Sequence, residues 1–287
     1  MTVSTLPLYA RAVLPSLPLV GSLPGVRKAT GALADLELRH DGVRVDRDHV
    51  ASYARLTGHR LSDSLPGLYP HLPAFALHLA LLVDRRFPFA PLGLVHVDNR
   101  VTVHRPLGAG EVLDICCRPA RLRPHRKGRL VDIDTTVGVA GETVWEETTT
   151  LLARGPGGPD APADSPSAGV DAPVGDTRWD LPAGLGRAYA AVSGDRNPIH
   201  LSALSAKAFG FPRAIAHGMW TAARALASVE GRLPSAYRYD VAFRRPVLLP
   251  GRVRAGARIG ADGSLTLGVV SSDGGRTHLV GRVESLR

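Results

Sequence analysis

Residues Tyr189-Ala-Ala-Val-Ser-Gly-Asp-Arg-Asn-Pro-Ile-His200 decide how this chain of 287 residues is interpreted. The first six of them match Tyr53-Ala-Arg-Leu-Thr-Gly58, 136 positions earlier. Two further pairs match in the same order: Phe75-Ala-Leu-His-Leu79 with Ala214-Ile-Ala-His-Gly218, and Val101-Thr-Val-His-Arg-Pro106 with Val241-Ala-Phe-Arg-Arg-Pro246. Three matches in one order, at a slowly drifting offset, indicate a tandem duplication.

Each half has the same order of predicted elements: a short helix, a longer apolar helix and a run of antiparallel strands. In the first half we predict a strand over 36–45, a short helix over 48–56 and a long helix over 69–87. Strand-like runs follow at 93–97, 99–103, 112–119, 129–139 and 143–153, several of them alternating in polarity. A long helix must bury its apolar face in a curved sheet, and two such units can join their edge strands. These elements predict an α+β fold.

The two halves are separated by residues 155–176, of which ten of 22 are Pro or Gly and four are Asp. Such a segment buries too little apolar surface to order itself, so we predict a linker. The predicted organisation is an irregular leader at 1–30, an N-terminal unit at 31–154, this linker, and a C-terminal unit at 177–287.

Composition narrows the functional class. The chain is 44% hydrophobic with a mean hydropathy near zero, which is typical of a globular protein with a sizeable core. Its 35 Lys and Arg exceed its 26 Asp and Glu, but no five basic residues are consecutive. The densest segment, 118–129, lacks the aromatic residues that stack on bases. We therefore expect no nucleic-acid partner, and a small molecule that bears phosphate fits at least as well.

The cysteines and the apolar runs indicate a cytoplasmic protein. Cys116 and Cys117 are adjacent in a predicted strand, where neighbouring side chains point to opposite faces. A structural disulfide between them is not expected, which suits a reducing compartment. The first 25 residues are too interrupted by prolines for a signal or membrane helix, and no other apolar run reaches 18 residues. We expect neither export nor a membrane partner.

Acid–base chemistry concentrates in the second half. Asp195 and His200 flank Asn197-Pro198, and the proline turns the chain out of helical geometry, so both side chains can approach one point. The same residues could form only an Asx-turn and a helix cap. Gly218 lies in the first turn of a helix predicted over 216–229, where glycine costs about 1 kcal/mol relative to alanine. Its N–H could polarise a carbonyl oxygen, or its small size could permit close packing.

These residues, together with Phe209-Gly-Phe211 and Ile215-Ala-His-Gly-Met219, resemble the hydratase motif of the MaoC-like dehydratases. That family includes the (R)-specific enoyl-CoA hydratases. The first half resembles the degenerate partner domain of double-hotdog members, through Leu65-Pro66, Phe87-Pro88, Gly93-Leu-Val-His96 and His104-Arg-Pro106. The resemblance implies a double hotdog, which is two tandem units, each a long helix wrapped by an antiparallel sheet, joined into one continuous sheet.

The resemblance also implies a mechanism. Asp195 and His200 would activate one water for addition to the β-carbon of a trans-2-enoyl thioester, and one of them would return a proton to the α-carbon. Gly218 N–H would polarise the thioester carbonyl, and Asn197 would orient the turn. The reverse reaction dehydrates an (R)-3-hydroxyacyl thioester. The substrate would be an acyl-CoA or acyl-carrier-protein thioester, with no metal and no redox cofactor.

The duplication supplies an internal comparison. Positions aligned with Asp195, His200 and Gly218 hold His59, Ser64 and Leu79 in the first half. We therefore expect that half to be inactive and to form part of an acyl tunnel, which leaves one active site per chain.

The remaining candidates are assigned supporting roles. Arg213, Arg244 and Arg245 could meet the phosphates of coenzyme A, although solvated surface arginines are the alternative. His217 aligns with His78, which favours a structural role. The other histidines lack metal-ligand spacing. Two alternative functions stay open, thioester hydrolysis and a non-catalytic acyl-thioester-binding subunit, and the chain could form a homodimer or remain monomeric.

Overall fold

A computed structural model describes residues 35–91, 93–158 and 169–286, together with Pro7, Leu8 and Leu33. The predicted leader falls almost entirely outside the described residues, as does the middle of the predicted linker, 159–168. No helix within the described part of the chain is both long enough and apolar enough to cross a membrane.

The two halves contain corresponding helices and strands. The N-terminal half contains β1 Leu38–Arg44, α1 Arg47–Thr57, α2 His71–Val83, β2 Leu94–Val103, β3 Val112–His125, β4 Gly128–Val139 and β5 Glu142–Arg154. The C-terminal half contains β6 Thr177–Leu181, α3 Leu185–Ser193, α4 Pro198–Leu201, α5 Ala203–Ala208, α6 Gly218–Ala227, a 3₁₀ turn Glu230–Arg232, β7 Tyr237–Phe243, β8 Gly251–Ile259, β9 Leu265–Ser271 and β10 Thr277–Ser285.

The strands form one antiparallel sheet in the order β1-β3-β4-β5-β2-β7-β10-β9-β8-β6. Each strand of the first half has its counterpart at the same distance from the centre of the sheet, so the order reads as two copies related by a twofold. The copies join at β2 and β7, where Asn99 pairs with Val241 and Val101 with Tyr239. The predicted continuous sheet is confirmed, and the joint leaves neither β2 nor β7 as an open edge.

Matched glycines end the first helix of each half. Gly58 follows α1 with φ 79°, and Gly194 follows α3 with φ 74°, both in the left-handed region that favours glycine. The N–H of Gly58 donates to Ala54 O, and the N–H of Gly194 donates to Ala190 O. The repeated glycine in the two matched sequences therefore ends a helix. In the second half, Asp195 is the first residue after that glycine.

Side chains also connect the halves. Trp220 Nε1 in α6 donates to Leu56 O at 3.0 Å, and His49 Nε2 in α1 donates to Val192 O at 2.8 Å. One apolar core runs through both halves, so their helices are fixed against each other as well as against the shared sheet.

Several predicted boundaries differ from the structure. The long helix α2 is shorter than predicted and ends at Val83, because Asp84 turns out of helical geometry and its carboxylate accepts from Arg86 N–H. The runs predicted at 93–97 and 99–103 form one strand with a bulge between His96 and Asp98. The extra residue in the bulge moves the side chains that follow it to the opposite face of the sheet. The alternation of apolar and polar residues is therefore interrupted, which is why the sequence suggested two strands.

The end of the predicted linker is held against the sheet. Arg254 Nε donates to Gly175 O at 2.9 Å, and a Cβ placed on Gly268 would lie 2.4 Å from Pro173 O. The expectation that the whole segment cannot order itself is therefore wrong for this part. Its backbone gains order from contacts with β8 and β9, which its own composition does not reveal.

Candidate active site

A cavity of about 900 Å³ is lined by residues from both halves. From the first half, α2 presents Phe75, Leu79 and Leu82 along one face. From the second half come the turn after α3 and the beginning of α6. Since a helix rises 1.5 Å per residue, the apolar stripe of α2 borders the cavity over roughly 10 Å, a length suited to an alkyl chain.

Asp195 and Asn197 build the turn that the sequence predicts. Asp195 Oδ1 accepts from the N–H of Asn197 at 3.0 Å, and Asn197 Oδ1 accepts from the N–H of Ile199 at 3.4 Å, with Pro198 opening α4. The Asx-turn and the helix cap are thus both present. They do not displace the catalytic interpretation, because Asp195, Asn197 and His200 all line the cavity.

His200 is held in one orientation and tautomer. Its Nδ1–H donates to Ile215 O at 2.8 Å, and because a carbonyl can only accept, Nε2 of the neutral ring carries a lone pair. Burial lowers the pKa of His200 below its ordinary value of 6.5, although Asp195 and the carbonyl oppose the shift. The imidazole is therefore mainly neutral at pH 7 and able to accept a proton.

His217 contacts both catalytic candidates, Asp195 and His200. Its Nε2–H donates to Asp195 O at 3.0 Å and lies 3.7 Å from Asp195 Oδ2. Its ring stacks on that of His200 with centroids 3.7 Å apart, and burial followed by the proximity of His200 lowers the pKa of His217 to about 3. Its counterpart His78 instead bonds Thr135 Oγ1 at 2.7 Å. The two aligned histidines therefore stabilise different features.

Gly218 is the first residue of α6, and it lines the cavity. Its N–H has no acceptor among the described residues, as expected at a helix N-terminus. A Cβ on Gly218 would lie 3.0 Å from Cε1 of Phe243, so close packing is also present. The structure is compatible with both interpretations of this glycine. The small residue lets Phe243 approach, and the N–H remains available at the positive end of the helix.

Known proteins resemble this chain in both sequence and fold. The family described as MaoC like domain matches residues 184–270. The chain is 37% identical to 3-hydroxyacyl-thioester dehydratase X of Mycobacterium tuberculosis, over 93% of this chain and 95% of that protein. This chain belongs to the MaoC-like dehydratases.

Two solved structures extend the comparison. The MaoC-like chain superposes on the crystal structure of HtdX of Mycobacterium tuberculosis with a TM-score of 0.77 and 35% identity, covering 88% of this chain and 100% of that one. A Mycobacterium tuberculosis protein described as having a double hotdog fold is 18% identical with a TM-score of 0.53, covering 87% and 95%. The second likeness shows the fold alone. The predicted double hotdog is confirmed.

The first half of this MaoC-like protein holds different groups at the aligned positions. Leu79 lies in the interior of α2, where helical hydrogen bonds use the backbone N–H. His59 Nδ1 bonds Thr57 Oγ1 at 2.8 Å, and Ser64 is exposed. A Cβ on Gly58 would fall 1.4 Å from Nη1 of Arg224, so a guanidinium occupies the space beside this turn.

The cations at the cavity only partly match the predicted set. Arg244 and Arg245 line the cavity and are exposed, whereas Arg213 is not among its lining residues and donates to Pro250 O at 2.9 Å. Three exposed cations that sequence reasoning did not assign to the site also line it: Arg126, Lys127 and Arg154. Two of them lie in the basic segment 118–129, and the density of charge in that segment is the sequence feature that could have indicated them.

Proposed function

We propose that this protein interconverts trans-2-enoyl thioesters and (R)-3-hydroxyacyl thioesters by reversible addition of water, as a hydro-lyase. One observation carries the proposal: Asp195 and His200 line the same cavity as Gly218, whose N–H has no acceptor in the described part of the chain. That is an acid–base pair beside a donor for a developing oxyanion. Membership of the MaoC-like dehydratases supports it.

In the hydration direction, Asp195 and His200 hold one water. The lone pair on His200 Nε2 accepts a proton as the water oxygen bonds to the β-carbon. The electrons of the double bond then move towards the thioester carbonyl, whose oxygen gains negative charge and accepts from Gly218 N–H. The abstracted proton returns to the α-carbon on the same face. Asn197 and His217 keep the pair in position.

The proposed reaction uses neither a metal nor a redox cofactor. Asp195, His200 and His217 offer ligand atoms that lie within 4.8 Å of one another, so a metal would have donors here. His200 Nδ1 and His217 Nε2 donate to carbonyl oxygens, and the proposal assigns the remaining nitrogen of His200 to water and not to a metal. The remaining groups form an acid–base pair that acts on water directly, and we expect a chelator to leave the rate unchanged.

The test uses trans-2-enoyl-CoA esters of increasing chain length, following both the absorbance of the conjugated thioester and the release of free thiol. Loss of absorbance without thiol supports hydration. Thiol release would instead support hydrolysis, in which water attacks the carbonyl carbon. Neither change at any chain length, with CoA or acyl-carrier-protein esters, would support a non-catalytic binding subunit.

We predict that Gly218→Pro lowers kcat about 100-fold, the loss that removal of one oxyanion donor causes. Proline is tolerated at the first position of a helix, and the ψ of 138° at His217 suits a residue that precedes proline. Gly218→Ala is the matched control, because it adds a Cβ beside Phe243 but keeps the N–H. An equal loss of kcat in both variants would assign the effect to the Cβ and not to the donor.

We predict that Arg245→Ala raises KM for CoA esters about tenfold and leaves kcat within about twofold, as expected for loss of one phosphate contact. The rise should shrink in high salt, which screens exposed charges. Arg213→Ala is the control, since it removes an exposed arginine that does not line the cavity. Equal KM values in the two variants would contradict a role for Arg245 in binding the carrier.

A further inference from the structure

The cavity has a polar wall that the reaction does not use, and it belongs to the N-terminal half. His71 opens α2 and lines the cavity, with Phe75, Leu79 and Leu82 following on the same face. It is more than nine-tenths buried, at 7% exposure. A histidine at the head of an otherwise apolar stripe is costly unless both ring nitrogens find partners.

One side of the His71 ring is held by a buried carboxylate. His71 Nδ1 lies 2.8 Å and 2.9 Å from the two oxygens of Glu147, which is itself 2% exposed and accepts from Asn99 Nδ2 at 2.7 Å. Although burial opposes it, Glu147 raises the pKa of His71. Similarly, against the effect of burial, His71 holds the pKa of Glu147 at about 2. The short contacts of Nδ1 with both oxygens of the buried carboxylate, and the direction of both pKa shifts, favour an imidazolium bonded to a carboxylate.

The other side of the ring is unused. Nδ1 is committed to Glu147, and the hydrogen bonds of the His71 ring within the described chain involve Nδ1 alone, so in the imidazolium the N–H at Nε2 is left for the cavity that the ring lines. His96 lies in the same wall, and its Nε2 is buried without a partner in the described part of the chain. An alkyl chain along this wall would strip water from polar atoms without replacing its hydrogen bonds.

We propose that His71 is a specificity-determining residue, whose Nε2–H donates to an oxygen carried by the acyl chain beyond its β-carbon. The substrates favoured would be enoyl thioesters with a hydroxyl, ether or keto oxygen in the chain. Asp195 also raises the pKa of His71, so the two side chains face the same cavity. The proposed reaction assigns the water to Asp195 and His200, and His71 heads the stripe of α2 that borders the chain. This inference rests on the proposed function, and it goes beyond it by naming the class of acyl group.

The test compares trans-2-enoyl-CoA esters with matched esters in which one methylene, from carbon 5 to carbon 9 in turn, is replaced by an ether oxygen. Ether oxygen accepts a hydrogen bond and cannot itself add to the double bond. At one or two positions we expect kcat/KM of the wild-type protein to exceed that of the all-carbon ester at least tenfold, the effect of one satisfied donor. A ratio near one at every position would overturn the proposal without any variant.

Two variants assign the preference to the ring. His71→Asn places an amide where Nδ1 lies, so Glu147 keeps a donor while the cavity loses one, and the ratio should fall to about one. His78→Gln is the control: His78 bonds Thr135 and lies 4.0 Å from Glu147 but is not a lining residue. It should keep the wild-type ratio. A wild-type ratio in His71→Asn, or its loss in both variants, would contradict the assignment.

Binding by saturated acyl-CoA esters, which cannot be hydrated, separates this inference from the proposed function. Calorimetry on saturated ether and all-carbon esters measures the preference even if no enoyl ester reacts. Absence of turnover with a tenfold binding preference would contradict the reaction and support the role of His71. Turnover without any binding preference would support the reaction and contradict the role of His71.

Discussion

Asp195→Asn is expected to lower kcat for enoyl-thioester hydration by about 10³- to 10⁴-fold, the upper part of the range for a positioned acid–base group. The substitution removes the negative charge beside the reacting water and the neighbouring His200. It keeps the local fold, because an asparagine Oδ1 can still accept from the N–H of Asn197 and preserve the turn. Spectrophotometric loss of the conjugated thioester measures the effect.

The control for this variant is Asp180→Asn. Asp180 lies in the edge strand β6, where it pairs with Arg252 in an exposed ion pair at 2.8 Å. Asp180→Asn makes the same change of charge as Asp195→Asn, but at a residue outside the cavity. The kcat of this variant should stay within about twofold of wild type, because an exposed ion pair contributes little. Thermal unfolding should be similar for both. A near-wild-type rate in Asp195→Asn would remove this carboxylate from the mechanism.

Those parts of the candidate site that are formed by residues close together in the sequence could be predicted. The turn from Asp195 to His200 follows from a helix stop at Gly194, an Asx-turn and a proline, all within eight residues. The duplication added a comparison between halves. These local signals and the comparison between halves are enough to predict the two catalytic candidates and the helix that begins at Gly218. They require no knowledge of contacts between residues distant in the sequence.

What the sequence did not indicate depends on contacts between distant residues. His71 and Glu147 are 76 positions apart and meet only because α2 packs into the curved sheet that contains β5. Neither residue stands out in its own segment, and the histidines share no spacing. The cavity cations likewise come from different halves of the chain, so Arg126 and Lys127 could be recognised as basic but not as residues of the site.

The extent of the strands was also hard to predict, for a different reason. β3 continues to His125, beyond the predicted end at Pro119, and includes Pro124. Proline cannot donate to a ladder, so its presence argues against a strand. The register shifts between Pro119 and Leu122, which accommodates the first proline at an irregularity that only the pairing with β4 reveals.

His200→Asn is expected to lower kcat about 10³-fold, because it removes the nitrogen that accepts the proton from water. An asparagine amide occupies the place of Nδ1, so the hydrogen bond to Ile215 O can persist and the turn should stay in place. His200→Gln is the informative companion variant. It reaches the place of Nε2 but loses the anchoring donor at Nδ1, and its amide is not a base, so it should be equally inactive.

The pH dependence of the rate tests the role of His200 independently. Burial lowers the pKa of His200 below 6.5, so the neutral base predominates at pH 7 and is lost as the pH falls through that lowered value. The wild-type kcat/KM should therefore be flat near neutrality and decline only at more acidic pH than an ordinary histidine would cause. An optimum on the acidic side, with loss of rate towards pH 7, would mean that the reaction needs an imidazolium. It would reverse the roles of His200 and Asp195, because the base that takes the proton from water would then be the carboxylate.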